Sequence, residues 1–220
     1  MNRLSWLGVV AGTAMLAVAV PTQANAAIVF GTGPAPGSTD NVIVNACASP
    51  VLGPALTVTG CLNTSQTTDV NFTSDENLLL TEGGGQAQLV SQDGAFSYLE
   101  ISLDPGQTFA ILELNIDTNA DGTVVFTVQD QNVSSGPLAL DENGVNRFYV
   151  IGTAGEDFTS LSFVTTVGVT SVDLVSDVKQ VRIGGVDDGG GGFPIPEPAT
   201  IALFGAGLLG LGLARRRRKA

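Results

Sequence analysis

The chain has 220 residues, of which 44% are hydrophobic and only 14% are charged, and its formal net charge is −12. This length fits one medium-sized domain with appendages. No histidine occurs in the sequence, which excludes Ser-His-Asp and Cys-His catalysis and imidazole zinc sites. The two cysteines are too few for a four-thiolate zinc or iron–sulfur site.

Acidic residues are concentrated in the middle of the chain. Residues 27–195 contain 20 of the 21 acidic side chains but only three bases, Arg147, Lys179 and Arg182, which gives this region a net charge of −17. Nucleic-acid binding depends on neutralising phosphates with Lys and Arg, so DNA and RNA are excluded as partners. The acidic surface is typical of a soluble, self-repelling exported protein, and an affinity for divalent cations is the alternative.

The first 26 residues have the three zones of a cleavable secretory signal peptide. Met1–Asn2–Arg3 is short and basic, residues 4–20 are mostly apolar, and Ala24 and Ala26 supply the small side chains that a cut before Ala27 needs. An uncleaved N-terminal membrane helix is the alternative. We predict that the mature chain begins at Ala27.

Residues 27–186 show the hydrophobic period of two that is typical of β-strands. In residues 97–104, for example, apolar and polar side chains alternate. The runs 108–116 and 123–130 flank an Asp-Gly turn and predict a hairpin. About a dozen short strands separated by turn signals, without an amphipathic helix, predict an all-β fold, an antiparallel β-sandwich of jelly-roll type.

The two cysteines predict a structural disulfide. Cys47 and Cys61 close a short loop in a chain that carries an export signal, and two cysteines permit one intrachain pairing. A reactive thiol would need an activating base or cation, and the segment Asn45–Asn63 contains no charged residue.

One segment resembles the start of a calcium-binding loop. Asp117, Asn119 and Asp121 supply oxygen ligands at positions 1, 3 and 5, a glycine follows at position 6, and Thr123 offers its carbonyl at position 7. Position 12 is Val128 instead of the bidentate Glu. A weak calcium site and an ordinary turn between strands are both consistent with this pattern.

The composition changes abruptly at the C-terminal end. Residues 187–195 form a Gly-rich linker, and Pro196, Glu197 and Pro198 follow. The apolar run 199–214 predicts a single transmembrane helix, slightly short for the bilayer core. The run ends in a basic tail, residues 215–219, which predicts a cytoplasmic C-terminus and consists of Arg215, Arg216, Arg217, Arg218 and Lys219.

The tripeptide, the short Gly/Leu/Ala helix and the terminal Arg cluster resemble the PEP-CTERM sorting signal. The resemblance covers residues 196–220. It implies export by a Gram-negative bacterium, transient anchoring in the inner membrane and processing at the Pro-Glu-Pro region by the protease-transpeptidase exosortase. Proteins with this signal are associated with exopolysaccharide and biofilm, so the resemblance implies a final place at the cell surface or in the extracellular matrix.

Three classes of function remain for the β domain. The favoured interpretation is a non-catalytic structural or interaction component of the extracellular matrix. The alternative is a carbohydrate-binding module, assisted by calcium; extracellular polysaccharide would then be a partner. Tyr98 and Tyr149 are the only Tyr or Trp residues of the mature body, which leaves few rings for stacking sugars. A secreted glycosidase working with two carboxylates is the third class, and no pair is singled out by the sequence. We therefore expect no enzymatic activity and no cofactor other than calcium.

Overall fold

The computed structural model describes residues 27–187. The predicted signal peptide (1–26), the linker beyond Asp187, the Pro196–Glu197–Pro198 tripeptide, the predicted membrane helix (199–214) and the basic tail lie outside the described residues. Within residues 27–187, no helix is long and apolar enough to cross a membrane.

The described part of the chain is all-β and antiparallel, which confirms the predicted fold class. Each strand pairs with its neighbours in antiparallel register, without a parallel pair among the described strands. The strands are β1 (Ala27–Thr32), β2 (Asp40–Ile43), β3 (Ala55–Leu62), β4 (Asp69–Gly83), β5 (Gln86–Ser91), β6 (Tyr98–Leu103), β7 (Ile111–Thr118), β8 (Gly122–Val128), β9 (Val133–Ser134), β10 (Leu138–Leu140), β11 (Asn146–Thr153), β12 (Ser160–Val167), β13 (Thr170–Ser171) and β14 (Val175–Gly184).

Alternating side chains explain why these segments form strands with one face in the core. In β5 and β6, every second residue is buried and the residues between are partly exposed. Successive side chains of a strand point to opposite faces of a sheet, so this alternation buries one face and leaves the other in water. The core contains several large rings, which are fully buried: Phe72, Phe96, Phe109, Phe126, Phe148, Phe158 and Phe163.

The strands form one continuous sheet with two layers, which β2 and β5 connect. One layer has the order β1-β11-β7-β14, and the other has the order β3-β4-β6-β12-β8-β10. The first part of β4 pairs with β3 and β6, whereas Leu78–Gly83 pairs with β5, which in turn pairs with β14. Between the layers, the rings of Phe126 in β8 and Phe148 in β11 lie with their centroids 5.3 Å apart. This contact joins two strands that share no hydrogen bonds.

The predicted hairpin between residues 108–116 and 123–130 is wrong. β7 pairs with β11 and β14, whereas β8 pairs with β9, β10 and β12. The connection 119–121 instead carries the chain from one layer to the other. An Asp-Gly sequence favours a change of chain direction. The pairing of the two runs, however, is set by strands that are distant in the sequence.

Candidate ligand cleft

An open cleft of about 460 Å³ lies where the ends of β2, β3 and β14 meet. Its volume falls in the range of about 300–1,000 Å³ that is usual for small-ligand sites. The loop 33–39 before β2 forms one wall, the loop 63–68 after β3 forms the other, and the end of β14 forms the floor. The lining residues are Ser38, Thr39, Asp40, Leu62, Thr64, Ser65, Thr68, Ile183, Gly184, Gly185 and Val186.

A buried carboxylate holds the loop 33–39 against the sheet. Glu113 in β7 is 2% exposed, and its Oε2 accepts a hydrogen bond of 2.5 Å from the backbone N–H of Ala35. Its Oε1 accepts hydrogen bonds from Arg147, with Nε at 3.1 Å, and from Arg182, with Nη1 at 3.4 Å. A buried carboxylate is costly unless it is paired and hydrogen-bonded, and Glu113 satisfies both conditions. We call Glu113, Arg147 and Arg182 the Glu113 cluster.

Two glycines, Gly184 and Gly185, allow the floor of the cleft to lie close to the wall formed by the loop 33–39. A Cβ atom added at Gly184 would lie 2.3 Å from the carbonyl oxygen of Ser38, which no real Cβ tolerates. At Gly185 the backbone has φ of +64°, a conformation that favours glycine. The pair of glycines therefore lets β14 pass directly beneath the wall.

The opposite wall is held by the disulfide and by local hydrogen bonds. Cys47 and Cys61 form the predicted disulfide, with their Cα atoms 5.4 Å apart. Beyond Cys61, the N–H of Leu62 donates to the carbonyl of Thr68 at 3.2 Å, and the N–H of Thr68 donates to the carbonyl of Ser65 at 2.9 Å. The hydroxyls of Ser65 and Thr68 lie 2.7 Å apart. The loop 63–68 is thus a closed turn fixed at its base.

Asp40 ties the two walls together. Its Oδ2 accepts hydrogen bonds from the backbone N–H of Thr64 at 2.8 Å and from the Thr64 hydroxyl at 2.7 Å. The backbone N–H of Asn63 also donates to the carbonyl of Asn41 at 2.9 Å. The cleft is therefore built before any ligand enters.

The cleft offers hydroxyl groups and a single carboxylate. Five of its lining residues are Ser or Thr, Asp40 is its charged residue, and no Lys or Arg lines it. Such a surface can both donate and accept hydrogen bonds but has no cation to hold an anion. The aliphatic side chains of Leu62, Ile183 and Val186 complete the lining.

The residues of the predicted calcium loop lie apart from the cleft, and the side chains of three of them have other partners. Asp117 forms an ion pair with Lys179. The Oδ1 of Asp121 accepts a hydrogen bond of 2.9 Å from the N–H of Glu142, and the Thr123 hydroxyl lies 2.8 Å from that of Thr166. The backbone N–H of Asn119 donates to the carbonyl of Leu174. Within the described chain, no cluster of three or more acidic, Cys or His side chains could hold a metal ion.

Burial and mutual repulsion raise the pKa of several carboxyl groups. Burial, and then the charge of Asp117, raise the pKa of Asp177. Burial and the neighbouring charge of Asp187 raise the pKa of Asp157. At the exposed Glu76, the charge of Asp93 has the largest effect and raises the pKa. Carboxyl groups in such surroundings favour the protonated form.

Two further groups have raised pKa values because of their partners or their burial. A hydrogen bond with Asp117 raises the pKa of Lys179 and so favours its charged form. Burial, followed by the hydrogen bond to Glu100, raises the pKa of Tyr98 to about 12. Both groups therefore keep their protons at neutral pH.

The sequence did not reveal the Glu113 cluster or the cleft. Glu113 lies in an apolar run, and a carboxylate between apolar neighbours is the one signal that pointed to a buried charge. Its arginine partners lie 34 and 69 residues away, so their contact could not be derived from spacing. The cleft hydroxyls look like those of any Ser/Thr-rich loop.

Comparison with known proteins identifies the C-terminal segment. Residues 194–219 match the family model described as the PEP-CTERM protein-sorting motif, which confirms the resemblance found in the sequence. The chain therefore carries a protein-sorting signal at this end. The match leaves the β domain unassigned, and no curated protein matches the chain.

Solved structures that resemble the chain include family 29 carbohydrate-binding modules. A mutant of CBM29-2 aligns over 73% of this chain and 99% of its own, with 13% identity and a TM-score of 0.32. Another mutant, complexed with mannohexaose, aligns over 74% of this chain and 90% of its own, with 11% identity and a TM-score of 0.31. These TM-scores are too low to carry a functional conclusion.

Proposed function

We propose that this protein is an exported, non-catalytic component of the cell surface or extracellular matrix of a Gram-negative bacterium. The signal at its C-terminal end delivers it, and exosortase processes it at Pro196–Glu197–Pro198. The observation that carries the proposal is the match of residues 194–219 to the PEP-CTERM protein-sorting motif. That motif begins shortly after Asp187, the last described residue of the β domain.

The chemistry of the chain supports a non-catalytic role. Histidine, the commonest general base near neutral pH, is absent from the sequence. Glycoside hydrolysis of the usual kind needs two carboxyl groups flanking the scissile bond, whereas the cleft is lined by the carboxylate of Asp40 alone. The cleft is thus better suited to binding than to this kind of hydrolysis.

Intact-mass measurement of surface protein tests the sorting and processing. We expect a mature species that begins at Ala27 and lacks roughly the last 20 residues, the part behind the predicted cut. Replacing Pro196–Glu197–Pro198 by three alanines should trap the uncut form. The control is Pro137→Ala, which removes an exposed proline outside the matched segment 194–219.

Two results would contradict this proposal. Surface protein that retains Arg215–Ala220 would make the C-terminal segment a permanent anchor. Normal trimming of the triple-alanine variant would show that cleavage does not depend on the tripeptide.

Carbohydrate binding is the second candidate function, and the hydroxyl-lined cleft is the observation that favours it. Ser and Thr hydroxyls with one carboxylate match the donors and acceptors of a polyhydroxylated ligand. Retention of the exported protein by an immobilised polysaccharide would test this function.

A further inference from the structure

We propose that the cleft between the loops 33–39 and 63–68 binds an uncharged sugar, as one or a few residues of a neutral polysaccharide chain. This inference rests on the second candidate function and assigns it a site and a ligand class. It is carried by the polar groups of the cleft, the charge around them and the rigidity of both walls.

The polar groups of the cleft match the hydroxyls of a sugar. Each Ser or Thr hydroxyl can donate one hydrogen bond and accept others, as each sugar hydroxyl does. The Thr64 hydroxyl already donates to Asp40, and those of Ser65 and Thr68 share one hydrogen bond. These three hydroxyls therefore offer a ligand their remaining acceptor positions and one donor. Asp40 accepts hydrogen bonds only, and a charged acceptor forms the stronger bonds. Its Oδ2 is already held by Thr64, which fixes the carboxylate in the lining of the cleft.

The negative charge of the cleft disfavours acidic polysaccharides, the competing class of ligand. An acidic sugar, such as a uronic acid residue, would enter beside Asp40 with no Lys or Arg in the lining. The three bases of the described chain contact Glu113 and Asp117 instead. Like charges that meet without a counter-ion repel, and a net charge of −17 on residues 27–195 adds to this repulsion over the whole surface. A neutral ligand avoids both costs.

The rigidity of the walls lowers the cost of binding. The Glu113 cluster fixes one wall, and the disulfide with the Ser65–Thr68 hydroxyl pair fixes the other. Thr68 is 4% exposed, and its hydroxyl is hydrogen-bonded to that of Ser65, so Thr68 holds the Ser65 hydroxyl in place before the ligand arrives. Groups that are ordered in advance lose little entropy on binding.

The cleft has no aromatic platform, and this predicts weak binding to each sugar unit. None of its lining residues is Phe, Tyr or Trp. Retention by a polymer then depends on many equivalent units presented together, which raises the apparent affinity without new contacts. A polymer is therefore the proper probe, and a single monosaccharide is not.

Affinity electrophoresis of the exported protein tests the site. Native gels would contain a neutral glucan, mannan or galactan, or an acidic polyuronate, and mobility would be compared with a gel without polymer. We expect retardation by at least one neutral polymer and none by the polyuronate. Asp40→Asn should weaken the retention about tenfold or more, since it removes a charged acceptor.

Three further variants make the result specific to the cleft. Asp121→Asn is the matched control, because it makes the same change at an aspartate that also accepts a backbone N–H but lies outside the cleft. Ser65→Ala and Thr68→Val each remove a cleft hydroxyl without changing the charge, and each should weaken retention. Thermal unfolding of every variant identifies any loss of retention that comes from misfolding. If Asp40→Asn or Thr68→Val misfolds, the milder variant Ser65→Ala tests the site.

Each outcome has a defined meaning. Retention by a neutral polymer that falls in Asp40→Asn and Ser65→Ala, but not in Asp121→Asn, supports the inference. Retention that survives the cleft variants overturns the site while leaving carbohydrate binding intact. Retention by the polyuronate, or by none of the polymers, overturns the ligand class. The sorting proposal is judged separately by intact mass, so the two failures cannot be confused.

Discussion

Two regions of this acidic domain differ in whether a base pairs with their carboxylates. Around β7, all three bases of residues 27–187 contact acidic side chains: Arg147 and Arg182 contact Glu113, and Lys179 contacts Asp117. A second region, which we call the acidic cluster, contains Asp75, Glu76, Asp93 and Asp173, and no base pairs with it. The repulsion within it raises the pKa of Glu76.

The difference shows where the few cations of the domain act. In the acidic cluster, serine hydroxyls serve as partners: Ser97 donates to Asp75 at 3.2 Å, and Ser91 donates to Asp93. These serine hydroxyls supply hydrogen bonds to the carboxylates but do not neutralise their negative charge. The cations therefore permit burial at Glu113, whereas the other carboxylates repel one another at the surface. The first region should stabilise the fold, and the second should oppose it at neutral pH.

The largest effect is expected for Glu113→Gln. The change removes the charge that pairs with two arginines and weakens the hold on Ala35, so we expect a loss of about 3–4 kcal/mol in the free energy of unfolding. The lower part of the usual range applies because the arginine side chains are 27% and 31% exposed and regain water. Urea unfolding of the exported protein measures the loss.

Glu76→Gln is the matched control for Glu113→Gln. It makes the same substitution in the acidic cluster, where it relieves repulsion, so stability at pH 7 should stay level or rise. A comparable loss in both variants would mean that the Glu113 cluster has no special role.

Removal of the disulfide provides a benchmark that involves no charge. The bond between Cys47 and Cys61 spans a sequence separation of 14 residues, and loop entropy predicts a loss of about 2–3 kcal/mol in the double variant Cys47→Ala, Cys61→Ala. Calorimetry at several salt concentrations measures the loss. We expect it to be independent of salt, and a strong salt dependence would contradict an entropic origin.

Mild acid should stabilise the domain through its repelled carboxyl groups. The pKa values of Glu76 and Asp157 are raised in the folded state. At a pH between the unfolded-state and folded-state pKa of either group, the folded state therefore binds more protons than the unfolded state. Stability from these groups is therefore gained as the pH falls through the raised values and is absent above them. The melting temperature should rise modestly as the pH falls from neutral into the range where these two groups titrate, which lies above their ordinary pKa values of 4.5 and 3.8.

The double variant Glu76→Gln, Asp157→Asn should show a smaller rise over the same pH interval. If its melting temperature follows the wild-type curve throughout, these two carboxyl groups do not cause the effect.

Calcium should have the smallest effect. A cation bound by the loop 117–123 must compete with Lys179 for Asp117 and with the N–H of Glu142 for Asp121. With a dissociation constant on the order of 10⁻³ M, calcium at 1 mM would add only about 0.4 kcal/mol of stability. Thermal unfolding with calcium and with chelator measures the gain.

The double variant Asp117→Ala, Asp121→Ala tests whether the loop binds the ion. The gain should vanish in this variant. An equal gain in the variant and the wild type would mean that calcium screens the acidic surface as a whole and that the loop is only a connection.

Periodicity and turn chemistry were enough to predict most strands and the fold class. β6 and β8 were predicted within a few residues because their apolar side chains alternate regularly with polar ones. The disulfide was predicted because two cysteines leave one pairing. The first half of β4 was missed, since it contains few apolar side chains; Ser74 occupies a buried position there, and its hydroxyl donates to the carbonyl of Tyr98 at 2.6 Å.

Contacts between distant parts of the chain were beyond the reach of the sequence. The runs 108–116 and 123–130 were predicted to form a hairpin, but β7 pairs with β11 and β14 instead. The register of β14 against β7 also shifts twice, between Val175 and Asp177 and between Lys179 and Arg182, and no local pattern marks these shifts. The cleft depends on loops that meet only after such pairings are made, so its residues carried no local signal.

The position of β14 determines how the domain bears mechanical load. β14 pairs with β7 on one side and with β5 and β2 on the other, and beyond it Asp187 still exchanges two hydrogen bonds with Thr108. Tension applied from the C-terminal side reaches a strand that is gripped along both edges. Tension from the N-terminal side would instead reach β1, which is paired along one edge only. The two ends of the domain would therefore meet a pulling force with different numbers of hydrogen-bonded partners.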